Sequence, residues 1–198
     1  MTPLKLLKAA VPLLENCNGK YCLLGGHAAS LYRVQERLTK DVDFGLVADP
    51  STQSRALAEQ VIKGLGLAPM LGFIPPGPRE PPREPICMVT SVATASETKG
   101  AIDILLPELP WLTPAVERAH YNRLDLGFAH VPVITPEDLI IAKCYALNNS
   151  PERFQDLDDI KEIFLYKHEL DLDYLGVRLE ALNLQIPKVL KKFAPKGI

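Results

Sequence analysis

The 198-residue chain has no run of about 18 apolar residues, so no segment is built to cross a membrane as a helix. It also lacks a basic excess: 22 Lys and Arg stand against 24 Asp and Glu, a formal net charge of −2. General coating of nucleic acid is thereby excluded, whereas a local basic patch is not. The four cysteines, Cys17, Cys22, Cys87 and Cys144, have neither zinc-ribbon spacing nor a CxxC redox pair, and each lies among apolar residues. They read as free, buried thiols of a protein in a reducing cytoplasm. His27, His120, His130 and His168 show no metal-ligand spacing and no paired Ser or Cys nucleophile. Residues 4–14 do not read as a secretory leader, because Lys5 and Lys8 interrupt the apolar run and Asn16-Cys17-Asn18-Gly19 is no cleavage site. There is no internal repeat.

What is present suffices for one globular domain. Apolar residues make up 47% of the chain, and at this length folding buries roughly 70% of the unfolded surface without a disulfide or metal staple. Residues 3–16 have helical apolar spacing and stop at Asn18-Gly19. Tyr21-Cys22-Leu23-Leu24, then Gly25-Gly26, then His27-Ala28-Ala29-Ser30-Leu31-Tyr32 reads as strand, glycine turn, helix. Residues 41–47 read as a second strand and 51–65 as a second helix. Residues 75–85 hold six of the 18 prolines and form an extended loop joining strands expected at 70–74 and 86–94. A further strand spans 101–106, followed by a helical turn at 114–119 and strand-like runs at 122–126 and 131–134.

From Thr135 the pattern becomes helical. Thr135-Pro136-Glu137-Asp138 supplies an N-cap, a proline at the first helical position and an acidic first turn. Ser150-Pro151-Glu152 is expected to start a second helix in the same way, running to Tyr166, with shorter amphipathic segments at 171–182 and 186–193. The expected fold is α+β: a mixed-sheet core with an N-terminal helix over 1–134 and a helical C-terminal subdomain over 135–198 packed on it.

Asp41-Val42-Asp43 is the sharpest chemical feature. Side chains alternate along a strand, so both carboxylates project to one side and repel unless a cation, a proton or ordered water separates them. A hard divalent ion such as Mg²⁺ is the natural partner; a pair of solvated carboxylates at a strand end is the plain alternative. Gly25-Gly26 lies at a strand-to-helix junction where a phosphate can approach backbone N–H groups. Asp103 is a third acid, flanked by Ile102 and Ile104, and a carboxylate there is costly unless paired or metal-bound. Three carboxylates beside a glycine junction suit metal-dependent phosphoryl or nucleotidyl transfer. Arg37 either clamps a phosphate or pairs with the acids. Lys143 stands out in an otherwise apolar helix, and Arg153, Asp156 and Asp159 share a helix face as site residues or as a structural ion-pair network.

Gly25-Gly26-His27-Ala28-Ala29-Ser30-Leu31 followed by Arg37-Leu38-Thr39-Lys40-Asp41-Val42-Asp43 resembles the signature of the DNA polymerase β-like nucleotidyltransferase superfamily. The glycine pair and the arginine ahead of the Thr are similar to AbiEii-type enzymes, which include toxins of type IV toxin–antitoxin systems. Residues 134–143, with Ala146, resemble that family's lysine-bearing helix, and 153–160 resemble the Arg-x-Lys-Asp helix that follows. The resemblance spans roughly 20–165. It implies that residues 1–134 contain a nucleotidyltransferase core in which Gly25 and Gly26 grip nucleotide phosphates and Asp41 and Asp43 bind Mg²⁺ or Mn²⁺. By its place in a later strand Asp103 would be the third catalytic and metal-binding carboxylate. Lys143 would contact the triphosphate or base, and Asp156 would orient that lysine or help bind the acceptor. His27 and Gln155 depart from the family pattern, which usually has a small or hydroxyl residue and a lysine there.

The implied activity is Mg²⁺-dependent transfer of NMP from an NTP to a hydroxyl acceptor, either RNA (tRNA) or protein, in a toxin-like role with an antitoxin partner. Two alternatives belong beside it: an antibiotic-modifying enzyme of the aminoglycoside or lincosamide kind, and a non-catalytic nucleotide-binding or interaction module. Misplacement of Asp103 away from Asp41 and Asp43 would favour the latter.

Overall fold

In the computed structural model, residues 2–33, 35, 38–72, 86–95, 98–166 and 169–195 are described. Helix α1 (Pro3–Glu15) starts where the Thr2 hydroxyl accepts a hydrogen bond from the Lys5 amide, with Pro3 in the first turn. It buries Leu6, Leu7, Ala10, Val11 and Leu14, the stripe expected of an amphipathic helix. Strand β1 (Gly19–Leu24) runs directly into α2 (Gly25–Leu31), so the glycine pair opens the helix rather than forming a separate turn. Strand β2 (Asp41–Ala48) leads through a short 3-10 turn (Ser51–Gln53) into α3 (Ser54–Gly64). Strands β3 (Met70–Gly72), β4 (Met88–Ala95) and β5 (Thr98–Leu105) follow. The expected proline-rich loop at 75–85 lies outside the described residues, but β3 and β4, which it joins, are antiparallel neighbours as expected.

The five strands form one sheet in the order β1-β2-β5-β4-β3. Only β2 and β5 are parallel; the other pairs are antiparallel, which makes the sheet mixed. On one face Val42, Phe44, Ile102, Ile104 and Val89 are fully buried in the apolar core, to which α1 and α3 also contribute. Helix α4 (Leu112–Ala119) lies against the opposite face of β2. A Cβ placed on Gly45 would come 2.7 Å from Leu112 Cδ1, so the close approach of helix to strand depends on the glycine. Strands β6 (Arg123–Asp125) and β7 (His130–Pro132) make a separate hairpin.

Helix α5 (Pro136–Asn149) begins at the expected cap, where Thr135 Oγ1 accepts from the Asp138 amide, and is buried on most of its circumference. Helices α6 (Phe154–Tyr166) and α7 (Leu172–Ala181) complete the chain with a 3-10 turn at Lys188–Leu190. Two expectations are corrected here. Ser150 closes α5 instead of opening the next helix: its amide donates to the Ala146 carbonyl and its backbone leaves the helical region, and α6 starts at Phe154. The segment at 186–193 forms only that short turn, anchored by buried Ile186 and Leu190. All four cysteines are free; Cys22, Cys87 and Cys144 are buried and Cys17 is half-buried.

Candidate active site

Strand alternation places the acids. Val42 and Phe44 point into the core, so Asp41 and Asp43 point to the other face of β2. Ile102 and Ile104 likewise leave Asp103 facing out from β5. Parallel pairing then sets Asp43 beside Asp103 and Asp41 beside Ala101, residue for residue. The apolar neighbours that made Asp103 look anomalous therefore belong to the opposite face. Across the antiparallel β4–β5 pair, Thr90 stands opposite Asp103 and donates its hydroxyl to Asp103 Oδ1.

The glycine pair is built around Asp43. Gly25 has φ +65°, and a Cβ there would lie 1.9 Å from Asp43 Oδ2. The Gly26 amide donates to the Asp43 carboxylate. Burial, and then the negative charges of Asp103 and Asp41, push the Asp43 carboxyl up to about 7 against the opposing pull of Gly26 and Lys143. Asp103 is also raised, chiefly by burial, with the Thr90 hydroxyl working against the shift.

Lys143 approaches from α5. Its ammonium lies 2.7 Å from Asp156 Oδ1 and 2.7 Å from Asp159 Oδ2, both on α6. Arg153 pairs with the other oxygen of Asp156, while Arg33, just beyond α2, pairs with Asp159 at 2.7 Å and Asp158 at 2.8 Å. Burial would raise Asp156, yet Lys143 and Arg153 hold its carboxyl below the usual range. A second buried network clamps α4, α5 and α7 together: Arg118 contacts Glu137 and Asp138 and stacks on the Tyr174 ring, whose hydroxyl donates to Asp138.

Gly25, Gly26, Asp41, Asp43, Asp103, Lys143 and Asp156 line one cleft of about 480 Å³. Arg37 lies outside the described residues. Thr39, Trp111, Tyr145, Asn149, Arg153 and Gln155 line the same cleft, and the buried Trp111 is at once a wall of the site and part of the apolar core. Thr90 and Arg33 were not singled out from sequence, because their partners lie 13 and 126 residues away along the chain.

The donor set fits a hard cation. Among the described residues no Lys, Arg or His forms an ion pair with Asp41, Asp43 or Asp103, although three carboxylates share one face. Among the described residues, however, no group of three His, Cys, Asp or Glu comes together closely enough to hold a metal ion by itself. An open, all-oxygen set of this kind suits Mg²⁺, which commonly takes one or two carboxylates and completes its shell with substrate phosphates and water.

Solved structures share the fold. The antibiotic-resistance factor ANT(2'')-Ia, in its complex with adenylyl-2''-tobramycin, superposes with a TM-score of 0.54 at 14% identity, over 91% of this chain and 96% of that one. An antigenic nucleotidyltransferase-like protein from Paracoccidioides brasiliensis superposes at 0.51 with 18% identity, over 91% of this chain and 88% of that one. No curated protein matches the sequence at a significant level. The family described as nucleotidyl transferase AbiEii toxin, type IV TA system, matches residues 19–193 and so takes in β1 through the last helical turn, with every strand and loop that lines the cleft. The chain therefore belongs to the AbiEii nucleotidyltransferase family.

Proposed function

We propose that the protein transfers a nucleoside monophosphate from an NTP to a hydroxyl acceptor in a Mg²⁺-dependent reaction, releasing pyrophosphate. The observation that carries this reading is the register of β2 and β5, which sets Asp103 beside Asp43 in the cleft that also holds Gly25, Gly26 and Lys143. Asp41, Asp43 and Asp103 would hold the metal, whose charge, when bound, would offset the charge developing on the transferred phosphoryl group. The Gly26 amide and the cramped space beside Gly25 fix the Asp43 carboxylate, and the Thr90 hydroxyl fixes Asp103. Asp103, beside Asp43 on the neighbouring strand and held by the Thr90 hydroxyl, would take the proton of the attacking hydroxyl. Lys143 supplies a positive charge for the phosphates, and Asp156 holds it in place. The in-register Asp103 favours this catalytic reading over a non-catalytic nucleotide-binding module.

In this reading the acceptor is RNA or protein, and the protein has a toxin-like role in the cytoplasm with an antitoxin partner; the family's description as a toxin of a type IV TA system supports that role. No helix among the described residues is long and apolar enough to cross a membrane. The likeness to ANT(2'')-Ia keeps an antibiotic acceptor as the second reading. One experiment separates them. The protein is incubated with each α-labelled NTP and Mg²⁺, together with total RNA, a protein lysate or a panel of aminoglycosides and lincosamides. Label entering RNA or protein, and lost in Asp43→Asn, supports the toxin-like reading; label entering only the drugs supports the second. No labelled acceptor and no pyrophosphate in any arm would sink the proposed activity.

A further inference from the structure

The cleft continues past Lys143 to the corner between α5 and α6. Lys143, Ala146 and Asn149 succeed one another at three-residue steps along α5, and all three line the cleft. At 1.5 Å of rise per residue, Asn149 stands about 9 Å along the helix from Lys143. Ser150 then ends α5, and its carbonyl accepts a hydrogen bond from the Arg153 amide, which brings Arg153 round to the same cleft. Arg153 is held at one point and open at the others. Its Nε donates to the buried Asp156 carboxylate, while the side chain as a whole is 55% exposed. Among the described residues its two terminal nitrogens make no hydrogen bond, and neither does the Asn149 side chain. The guanidinium is thus anchored from behind, with its outer edge left as a fork of N–H donors.

On the nucleotidyl-transfer reading above, Gly25, Gly26, Lys143 and the metal serve the triphosphate, so the corner beyond Lys143 is left for the rest of the nucleotide. The step from Lys143 to Asn149 is comparable to the reach from a nucleotide's phosphate to the far edge of its base. Between them Ala146 presents only a methyl group, which leaves room for a sugar. An arginine fork carries donors and no acceptor, so it matches a base edge with two adjacent acceptors. Guanine offers O6 and N7 in that arrangement, and cytosine offers N3 and O2. Adenine and uracil alternate acceptors with donors along their exposed edges and present no such pair. We infer that Arg153 selects the nucleobase, favouring guanine or cytosine over adenine and uracil through its two terminal nitrogens, with Asn149 beside the same base.

The test titrates ATP, GTP, CTP and UTP calorimetrically into the full chain with Mg²⁺, alongside inorganic tripolyphosphate, which has no base. The wild-type chain is expected to bind GTP or CTP at least about 10-fold tighter than ATP and UTP. Arg153→Lys keeps a cation beside Asp156 but loses the fork, so the preference should fall to within about threefold while tripolyphosphate affinity stays within about twofold of wild type. Where GTP is the favoured nucleotide, 7-deaza-GTP, which lacks the N7 acceptor, should bind the wild-type chain about as weakly as GTP binds Arg153→Lys. Equal affinity for all four NTPs, a preference for ATP or UTP, or a preference that survives in Arg153→Lys overturns the inference. So does a parallel loss of all four NTPs and tripolyphosphate in Arg153→Lys, which is the mark of a phosphate contact or of a merely structural partner for Asp156. Should Arg153→Lys not fold, Asn149→Ala decides: it should narrow the preference about threefold, and an unchanged preference overturns the inference. Equal binding of the four NTPs with label still transferred leaves the nucleotidyl-transfer reading standing. If the wild-type chain binds none of them, that reading falls and the inference with it.

Discussion

The cleft has two acidic walls that differ in how their charge is met. On the sheet, Asp41, Asp43 and Asp103 share a face, and no ion pair to them is formed among the described residues; burial and mutual repulsion raise the Asp43 carboxyl to about 7. On α6, Asp156 and Asp159 are at least as buried, but Lys143, Arg153 and Arg33 surround them and Asp156 is lowered. The same side-chain type thus sits in opposite electrostatic states within one cavity. A carboxylate already paired with protein cations contributes to the fold, whereas one left facing its own kind is poised to bind a cation. The sheet wall is accordingly read as the reactive one and the α6 wall as its support.

The strongest way to break this contrast is to neutralise each wall in turn. Asp41→Asn with Asp43→Asn is expected to lower nucleotidyl transfer by at least about 10³-fold, measured as pyrophosphate release, with the melting temperature held or raised. A fall in both together would show that the sheet acids are structural. Lys143→Met should do the reverse to the fold: taking a buried cation partner from Asp156 and from Asp159 is expected to cost about 3 kcal/mol in urea unfolding. A Lys143→Met chain as stable as wild type would make the α6 wall no more structural than the sheet wall.

Gly25→Ala sharpens the comparison at the point where α2 meets Asp43. The positive φ and the 1.9 Å approach to Asp43 Oδ2 predict a loss of about 1–2 kcal/mol. Adding Asp43→Ala should recover the part due to the clash, but not the part due to φ. If the second substitution recovers nothing, contact with Asp43 is not why glycine is required.

The smallest effect is one of pH. The Asp43 carboxyl titrates at about 7 in the folded chain against an ordinary 3.8, so between those values the folded state holds a proton that the unfolded state has released. Its contribution to stability is complete below the unfolded value and is lost as pH rises through about 7. Asp156, being lowered, behaves oppositely: its contribution is present above the ordinary range and is lost as pH falls through its depressed value. In metal-free buffer, Asp43→Asn should therefore melt higher than wild type at about pH 8 and lose that advantage towards pH 4. An advantage independent of pH would contradict the raised state of Asp43.

Much of this site was legible residue by residue. Period-two alternation put Asp41 and Asp43 on one side of a strand, and Thr135-Pro136 marked the start of the lysine-bearing helix where it is found. Ser150-Pro151 carried an equally good start signal and was overridden, because capping the end of α5 took Ser150 first. The glycine pair was legible as a junction, but its fit around Asp43 was not: that depends on β1 lying antiparallel to β2 with Leu24 opposite Asp43. Arg33 and Thr90 gave no local sign at all, since each acquires its meaning from a partner on another element.

Composition, alternation and capping are properties of neighbouring residues, and they are enough to specify an α+β chain, its main elements and the acids and lysine that line the cleft. The division of those acids into a set crowded together on the sheet and a set paired with cations on α6 is a property of distance. It arises because the β3–β4–β5 excursion brings β5 back parallel to β2, setting one carboxylate beside another, while α6 folds against α5 and Arg33 to surround the rest with cations. Coulomb interactions fall with separation in space and take no account of separation along the chain, so the charge state of each aspartate was settled only when the chain closed.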